Sequence, residues 1–218
     1  MSIGKNIQQL SNSLPEDVTL VAVSKTKPVT DLLEAYEAGQ RIFGENKIQE
    51  MSQKWEQLPK DIEWHMIGHV QTNKVKYMAP FVSLIHAVDS LKLVKEINKQ
   101  AAKHDRVIQC LLQVKIAEEE SKFGMSKDDA WQVISSEEVK NLLHVQIVGL
   151  MGMATFTADE VQLTKEFHFL KEVFEEFKNE YTQLTTLSMG MSGDYALAIE
   201  QGSNMIRVGS AIFGERNY

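Results

Sequence analysis

The chain is poor in cysteine: Cys110 stands alone among 218 residues. No disulfide can form within the chain, so a reducing compartment is the expected setting. The thiol lies inside the apolar run 107–114 and reads as a small buried side chain. An excess of positive charge is also missing. Acidic residues outnumber basic ones by 30 to 23, for a formal net charge of −7, which argues against nucleic acid as the main partner. No apolar run approaches the roughly 20 residues of a membrane-spanning helix. No apolar stretch follows the lysine of Met1-Ser2-Ile3-Gly4-Lys5-Asn6, so no signal peptide is expected. These absences lead to the expectation of a soluble, cytoplasmic protein with neither nucleic acid nor membrane as partner.

What is present is ordinary globular composition, 43% hydrophobic and 24% charged, arranged as alternating strand-like and helix-like segments. Strand patterns fall at 20–24, 41–43, 63–67, 84–88, 107–114, 145–150, 186–189 and 205–208. Helical patterns fall at 29–38, 47–57, 72–78, 91–103, 127–139, 159–181 and 195–201. A short helix is expected before the first strand. Gly39 and Gly202 each follow a helical run, the usual place of a left-handed C-cap. Ser90 and Ser192 stand where N-caps of the next helices belong. The stripe Leu163, Phe167, Leu170, Phe174, Phe177 and Tyr181 reads as one helix face packed on the rest of the fold. Repeated strand–helix alternation implies parallel strands. The expected fold class is α/β: a single (β/α)8 TIM-type barrel with an extra N-terminal helix, one domain over residues 1–218. The competing fold is an open doubly wound sheet, but no Gly-x-Gly-x-x-Gly turn follows the first strand.

In a parallel barrel, function collects at the C-terminal ends of the strands. Those ends carry Lys25, Gly44-Glu45-Asn46, His65 with Gly68-His69, Asp89, Lys115, Met151-Gly152-Met153, Gly190-Met191-Ser192-Gly193, and Arg207 with Gly209-Ser210. Lys25 ends the run Leu20-Val21-Ala22-Val23-Ser24, and alternation puts it on the face of Val21 and Val23. A charged lysine is costly there, so it snorkels outward or loses its proton. A deprotonated lysine is a nucleophile for aldehydes. The ends of strands 7 and 8 are where barrels bind phosphate. Gly209 permits close backbone approach, Ser210 and Ser192 add hydroxyls, and residues 211–214 suit a short helix or turn. With Ile206 and Val208 facing outward, Arg207 faces inward and needs an acceptor. An inward acid such as Glu63, or a cofactor's ring nitrogen or phosphate, serves equally by geometry. A lysine and a phosphate cradle together suggest pyridoxal phosphate.

Metal is not expected. His65 and His69 are split by Gly68 across a strand and a loop, and no His-Glu-x-x-His motif occurs. No Gly-x-Ser-x-Gly elbow occurs either. The charged loop 118–124 is expected to be solvated and mobile.

The segments carry a family resemblance. Val21-Ala22-Val23-Ser24-Lys25-Thr26-Lys27-Pro28 resembles the lysine segment of the pyridoxal phosphate homeostasis proteins, single-domain relatives of the barrel domain of alanine racemase. Further matches are Phe43-Gly44-Glu45-Asn46, Trp64-His65-Met66-Ile67-Gly68, Gln71-Thr72-Asn73-Lys74, Ser121-Lys122-Phe123-Gly124, Gly149-Leu150-Met151, Leu187-Ser188-Met189-Gly190-Met191-Ser192, and Ile206 through Gly214. Departures are Met66, where phenylalanine is frequent, and Lys115-Ile116-Ala117, where the family usually begins with asparagine. The resemblance implies that Lys25 holds pyridoxal phosphate as a Schiff base and that Arg207 faces its pyridine nitrogen. It implies that Gly209, Ser210 and Ser192 hold the phosphate, and that Asn46, His65 and Met189 line the ring pocket.

Two functions follow. The first is a carrier or reservoir of the cofactor, with apo-enzymes as recipients and a monomeric state expected. The second is an amino-acid racemase or another enzyme of this cofactor. An arginine at the ring nitrogen makes the ring a weak electron sink. Racemisation also needs a second acid/base opposite the lysine, and the tyrosine-bearing second domain of alanine racemase has no counterpart before Tyr218. The expectation is therefore a non-catalytic binding protein. A cofactor-free Schiff-base aldolase using Lys25 is a third reading, which colour on adding pyridoxal phosphate separates.

Overall fold

Eight short strands pair side by side in sequence order, and β8 returns to β1, so the sheet closes. The computed structural model describes residues 2–119 and 123–215. Its strands are β1 (Thr19–Val23), β2 (Ile42–Glu45), β3 (Glu63–Met66), β4 (Val82–Val88), β5 (Ile108–Gln113), β6 (Val145–Met151), β7 (Thr186–Met191) and β8 (Met205–Val208). Every neighbouring pair is parallel. This is the (β/α)8 TIM-type barrel expected from the alternation, preceded by the extra helix α1 (Ile3–Ser13).

The helices are α2 (Val29–Glu37), α3 (Ile48–Gln57), α4 (Val75–Met78), α5 (Leu91–Ala102), α6 (Lys127–Ser135), α7 (Glu137–Lys140), α8 (Glu160–Glu180), α9 (Tyr195–Glu200) and α10 (Ser210–Phe213). A 3₁₀ turn at Thr72–Lys74 opens α4. Gly39 and Gly202 have φ of 103° and 95°, the left-handed conformation that ends α2 and α9 without a Cβ penalty. The Ser90 hydroxyl accepts from the Leu93 amide and caps α5. Two local expectations need correction. The pattern at 127–139 is broken at Ser136, which is extended and caps α7 by accepting from the Val139 amide; its hydroxyl competes with helix continuation. Ser192 does not cap α9. Asp194 holds that position, while the Ser192 hydroxyl accepts from the Gly209 amide at 3.1 Å.

Alternation sorts the core into two clusters. The outer one packs strand residues such as Phe43, Trp64, Ile85, Leu112 and Ile206 against Leu32, Met51, Ile97 and the α8 stripe. The inner one plugs the barrel with Val21, Leu84, Ala87, Leu111, Val148, Met151 and Met205. Cys110 is buried in the outer cluster, and burial pushes its thiol well above the usual range. Among the described residues, no helix is long and apolar enough to cross a membrane.

At Gly149, β6 lies tight against Thr186 of β7. A Cβ there would stand 1.8 Å from the Thr186 carbonyl oxygen, so backbone, not a side-chain tip, would have to yield. Gly149→Ala is expected to cost about 3 kcal/mol of stability, read as a lowered midpoint in urea at unchanged m-value. An unshifted midpoint contradicts this account of the β6–β7 contact.

Candidate functional site

β1 and β8 lead from the inner plug to an open cavity. Val21 and Met205 belong to the plug, whereas Val23, Lys25 and Arg207 line a cavity of about 610 Å³ at the C-terminal mouth. The same wall holds Asn46, Ser192, Gly209 and Ser210. Six of the residues singled out in the sequence thus converge. Met189 and His65 do not line this cavity. Met189 shares its strand face with Leu187 and packs in the outer cluster. His65 lies inside the barrel against His86. His69 pairs with Asp89 at 3.4 Å and stacks on Phe123; these residues and Lys115 are also outside the cavity wall. Ser121 and Lys122 lie outside the described residues.

The backbone around Lys25 is clamped on both sides. α3 presents Glu50 and Lys54 one turn apart, and β2 ends in the buried Glu45. Lys54 Nζ donates to the Ser24 carbonyl (2.8 Å), Glu45 Oε1 (2.7 Å) and Glu50 Oε1 (2.8 Å). The Ser24 hydroxyl donates to Glu45 Oε1 at 2.6 Å. On the far side of Lys25, the Thr26 amide donates to Glu50 Oε1 at 2.6 Å. Thr26 has φ of 66°, a conformation that a β-branched residue rarely adopts and that the Glu50 contact helps hold. Burial pushes the Glu45 carboxyl up, with the Lys54 charge and hydrogen bond and the Ser24 hydroxyl pulling against it. Its Oε2 has no hydrogen-bond partner among the described residues.

The β8 end is anchored as firmly. Lys27 Nζ donates to the carbonyls of Phe213 (2.8 Å) and Glu215 (3.1 Å), and Asn6 Nδ2 donates to the Ile212 carbonyl at 2.9 Å. α10 is thereby held from β1's loop and from α1. Asn46 is placed by a close approach that only glycine permits: a Cβ on Gly68 would lie 2.4 Å from the Asn46 carbonyl oxygen.

Arg207 is buried and does not meet Glu63, which is exposed at the start of β3. Its NH1 donates to the Ser188 hydroxyl (2.6 Å) and its NH2 to the Gly152 carbonyl (3.0 Å). Burial pulls the guanidinium down to about 10, and Asp194 pulls it back up. Asp194, also in the cavity wall, is raised by burial, with the Met191 amide and Arg207 opposing.

Inside the barrel, His65 Nδ1 lies 3.1 Å from His86 Nε2, and His86 Nδ1 lies 3.2 Å from the Ser188 hydroxyl. Burial holds His65 down to about 3 and His86 well below the ordinary 6.5. Folding therefore excludes protons that the unfolded chain takes up below 6.5. The stability involved is complete above that value and drains away as pH falls toward about 3. The slope is about 1.4 kcal/mol per pH unit for each histidine kept neutral. Urea midpoints are expected to drop between pH 7 and pH 5; a flat profile contradicts neutral burial of the pair.

The loop after β6 adds Met153, Thr155, Phe156 and Thr157 to the wall, none of which but Met153 stands out in the sequence. The buried Glu166 of α8 holds this loop, accepting from the Thr155 amide and hydroxyl, each at 2.7 Å. An acid flanking the apolar stripe of α8 was the available signal. Phe156 is 90% exposed, and its amide donates to Glu119 Oε1 at 3.0 Å. Among the described residues, no group of three or more His, Cys, Asp or Glu side chains gathers as a metal site.

A family model described as alanine racemase, N-terminal domain, matches residues 2–217. The pyridoxal phosphate homeostasis protein of Vibrio alginolyticus is 37% identical over 232 residues, covering 100% of this chain and 99% of that protein. The structure of PipY from Synechococcus elongatus PCC7942 with PLP bound superposes with a TM-score of 0.88 at 35% identity, covering 97% of this chain and 100% of PipY. Alanine racemase from E. faecalis shares the fold, with a TM-score of 0.72 at 17% identity, over 99% of this chain and 58% of the racemase.

Proposed function

The chain belongs to the family of pyridoxal phosphate homeostasis proteins, and from that premise we propose that it binds pyridoxal phosphate in the cavity at the barrel mouth and holds it reversibly, as a store handed on to apo-enzymes. The observation that carries this reading is the convergence of Lys25, Arg207 and the Ser192–Gly209–Ser210 cluster on one wall. A cavity of about 610 Å³ is in the range of small-cofactor sites. Bound there, pyridoxal phosphate supplies an aldehyde for a reversible covalent link to an amine.

The chain's own residues suit that ligand. Lys25 offers the amine, and the clamp on Ser24 and Thr26 fixes where it starts. Ser192 and Ser210 offer hydroxyls to a phosphate, beside the Gly209 backbone. Arg207 only donates, which suits an unprotonated ring nitrogen and leaves the ring a weak electron sink. Among the described residues no tyrosine lines the cavity. Tyr36 and Tyr77 lie on α2 and α4, Tyr195 opens α9, and Tyr181 follows α8; Tyr218 is outside the described residues. This supports holding the cofactor over racemising an amino acid, and so does the higher identity to the homeostasis proteins than to the racemases.

The test is the visible spectrum of the purified protein titrated with pyridoxal phosphate, followed by transfer to an apo-enzyme in the same samples. A saturable visible band and transfer of the cofactor are expected. Protein that stays colourless and retains no cofactor overturns the reading. Formation of D-isomers from single L-amino acids, lost in Lys25→Ala, overturns the carrier role in favour of a racemase.

A further inference from the structure

Arg207 ends a line of buried polar groups that crosses the barrel from β3 to β8. The spacings are His65 Nδ1 to His86 Nε2 at 3.1 Å, His86 Nδ1 to Ser188 Oγ at 3.2 Å, and Arg207 NH1 to Ser188 Oγ at 2.6 Å. His65, His86, Ser188 and Arg207 are all buried. The direction of each bond follows from the inventory of donors. A guanidinium has no acceptor, so Ser188 Oγ accepts from Arg207. The single Ser188 proton then needs an acceptor. Among the described residues the bonds of Oγ reach only Arg207 and His86, so the proton goes to His86 Nδ1. A neutral His86 must then carry its own proton on Nε2. That proton is donated to His65 Nδ1, and the proton of His65 is left on its Nε2.

We propose that Ser188, His86 and His65 are positioning residues: a one-way hydrogen-bond chain, locked in the Nε2–H tautomer at both histidines, that holds Arg207 against β7. The Gly152 carbonyl, accepting from NH2 at 3.0 Å, holds the other nitrogen against the end of β6. A mobile arginine could swing toward a phosphate or a carboxylate. One held at both nitrogens presents its remaining donors from a fixed place in the cavity wall. The chain thus selects a ligand with an acceptor at one defined position, such as an unprotonated aromatic ring nitrogen. This inference rests on the reading of Arg207 as the group opposite the ring nitrogen of pyridoxal phosphate. Burial also keeps the two rings neutral at physiological pH, so the chain does not reverse or charge there.

The experiment has two arms. The first is ¹⁵N NMR of the histidine rings in cofactor-free protein. Two rings are expected in the Nε2–H form, unchanged from pH 5 to pH 8, assigned by their loss in His65→Phe and His86→Phe. An Nδ1–H form on either ring, or titration of either within that range, overturns the chain. The second arm compares Ser188→Ala and Ser188→Thr. Ser188→Ala leaves a buried charged donor without its partner; the dissociation constant for pyridoxal phosphate is expected to rise about tenfold, with loss of the single tautomer at His86. Ser188→Thr, which keeps the hydroxyl, is expected to restore both. Unchanged tautomer and affinity in Ser188→Ala overturn the proposal. Should Ser188→Ala fail to fold, the wild-type spectrum and Ser188→Thr still decide. Wild-type protein that binds no pyridoxal phosphate sinks the carrier reading alone, because the first arm needs no cofactor.

Discussion

Lys25→Ala is expected to abolish the visible band formed with pyridoxal phosphate and to leave no cofactor attached after borohydride reduction. The argument is positional. Lys25 and Lys27 both line the cavity, but Lys27 Nζ is spent on the carbonyls of Phe213 and Glu215. Lys25 starts from a backbone pinned at Ser24 and Thr26 and lies on the strand face that leads into the cavity. The Ser192–Gly209–Ser210 cluster and Arg207 are untouched by the substitution, so weak reversible binding should persist. Lys27→Ala is the control: it should keep the band and lose mainly the tether on α10. Mass spectrometry after reduction reads both variants. Attachment that survives in Lys25→Ala and disappears in Lys27→Ala reverses the assignment.

Lys54→Met carries the largest expected loss of stability. Lys54 and Glu45 are buried and bonded at 2.7 Å. Removing the lysine leaves Glu45 buried without its counter-charge and the Ser24 carbonyl without this donor. Breaking a buried pair in this way costs about 3–5 kcal/mol, against a typical domain stability of about 5–15 kcal/mol. Replacing both partners, Glu45→Leu with Lys54→Met, should cost less than Lys54→Met alone, since no unpaired buried charge remains. Urea unfolding of the two single variants and the double variant reads the difference. A double variant that loses the sum of the singles overturns the account. Because the same groups clamp Lys25, cofactor affinity is expected to fall in Lys54→Met where the protein is still folded.

Much of the architecture was legible because alternation and periodicity are local. The run Leu20–Ser24 lies within a segment that is β1 plus one residue, and Met205–Val208 is β8 as read. Parity alone turned Arg207 away from Ile206 and Val208. The left-handed glycines at 39 and 202 marked helix ends through a property of one residue. At Met189 parity and the family resemblance disagree. Membership in a family segment placed it at the cofactor, whereas parity with Leu187 places it in the outer cluster. The broken helix at Ser136 was equally hidden, because a serine hydroxyl suits a helix surface and a new cap alike.

By itself, the sequence determined the parallel barrel, the facing of Lys25 and Arg207, and the glycine and serine positions at the mouth, since these depend on which face each residue takes along its own element. Only the tertiary structure decided which groups meet. Closure sets β1 beside β8, bringing Lys25 and Gly209 to one wall. It also brings Ser188 to His86, 102 residues away, and packing of α3 on β2 sets Lys54 against Glu45. Periodicity carries no information about a partner on another element; that is a property of register and closure, which exist only once the chain has folded.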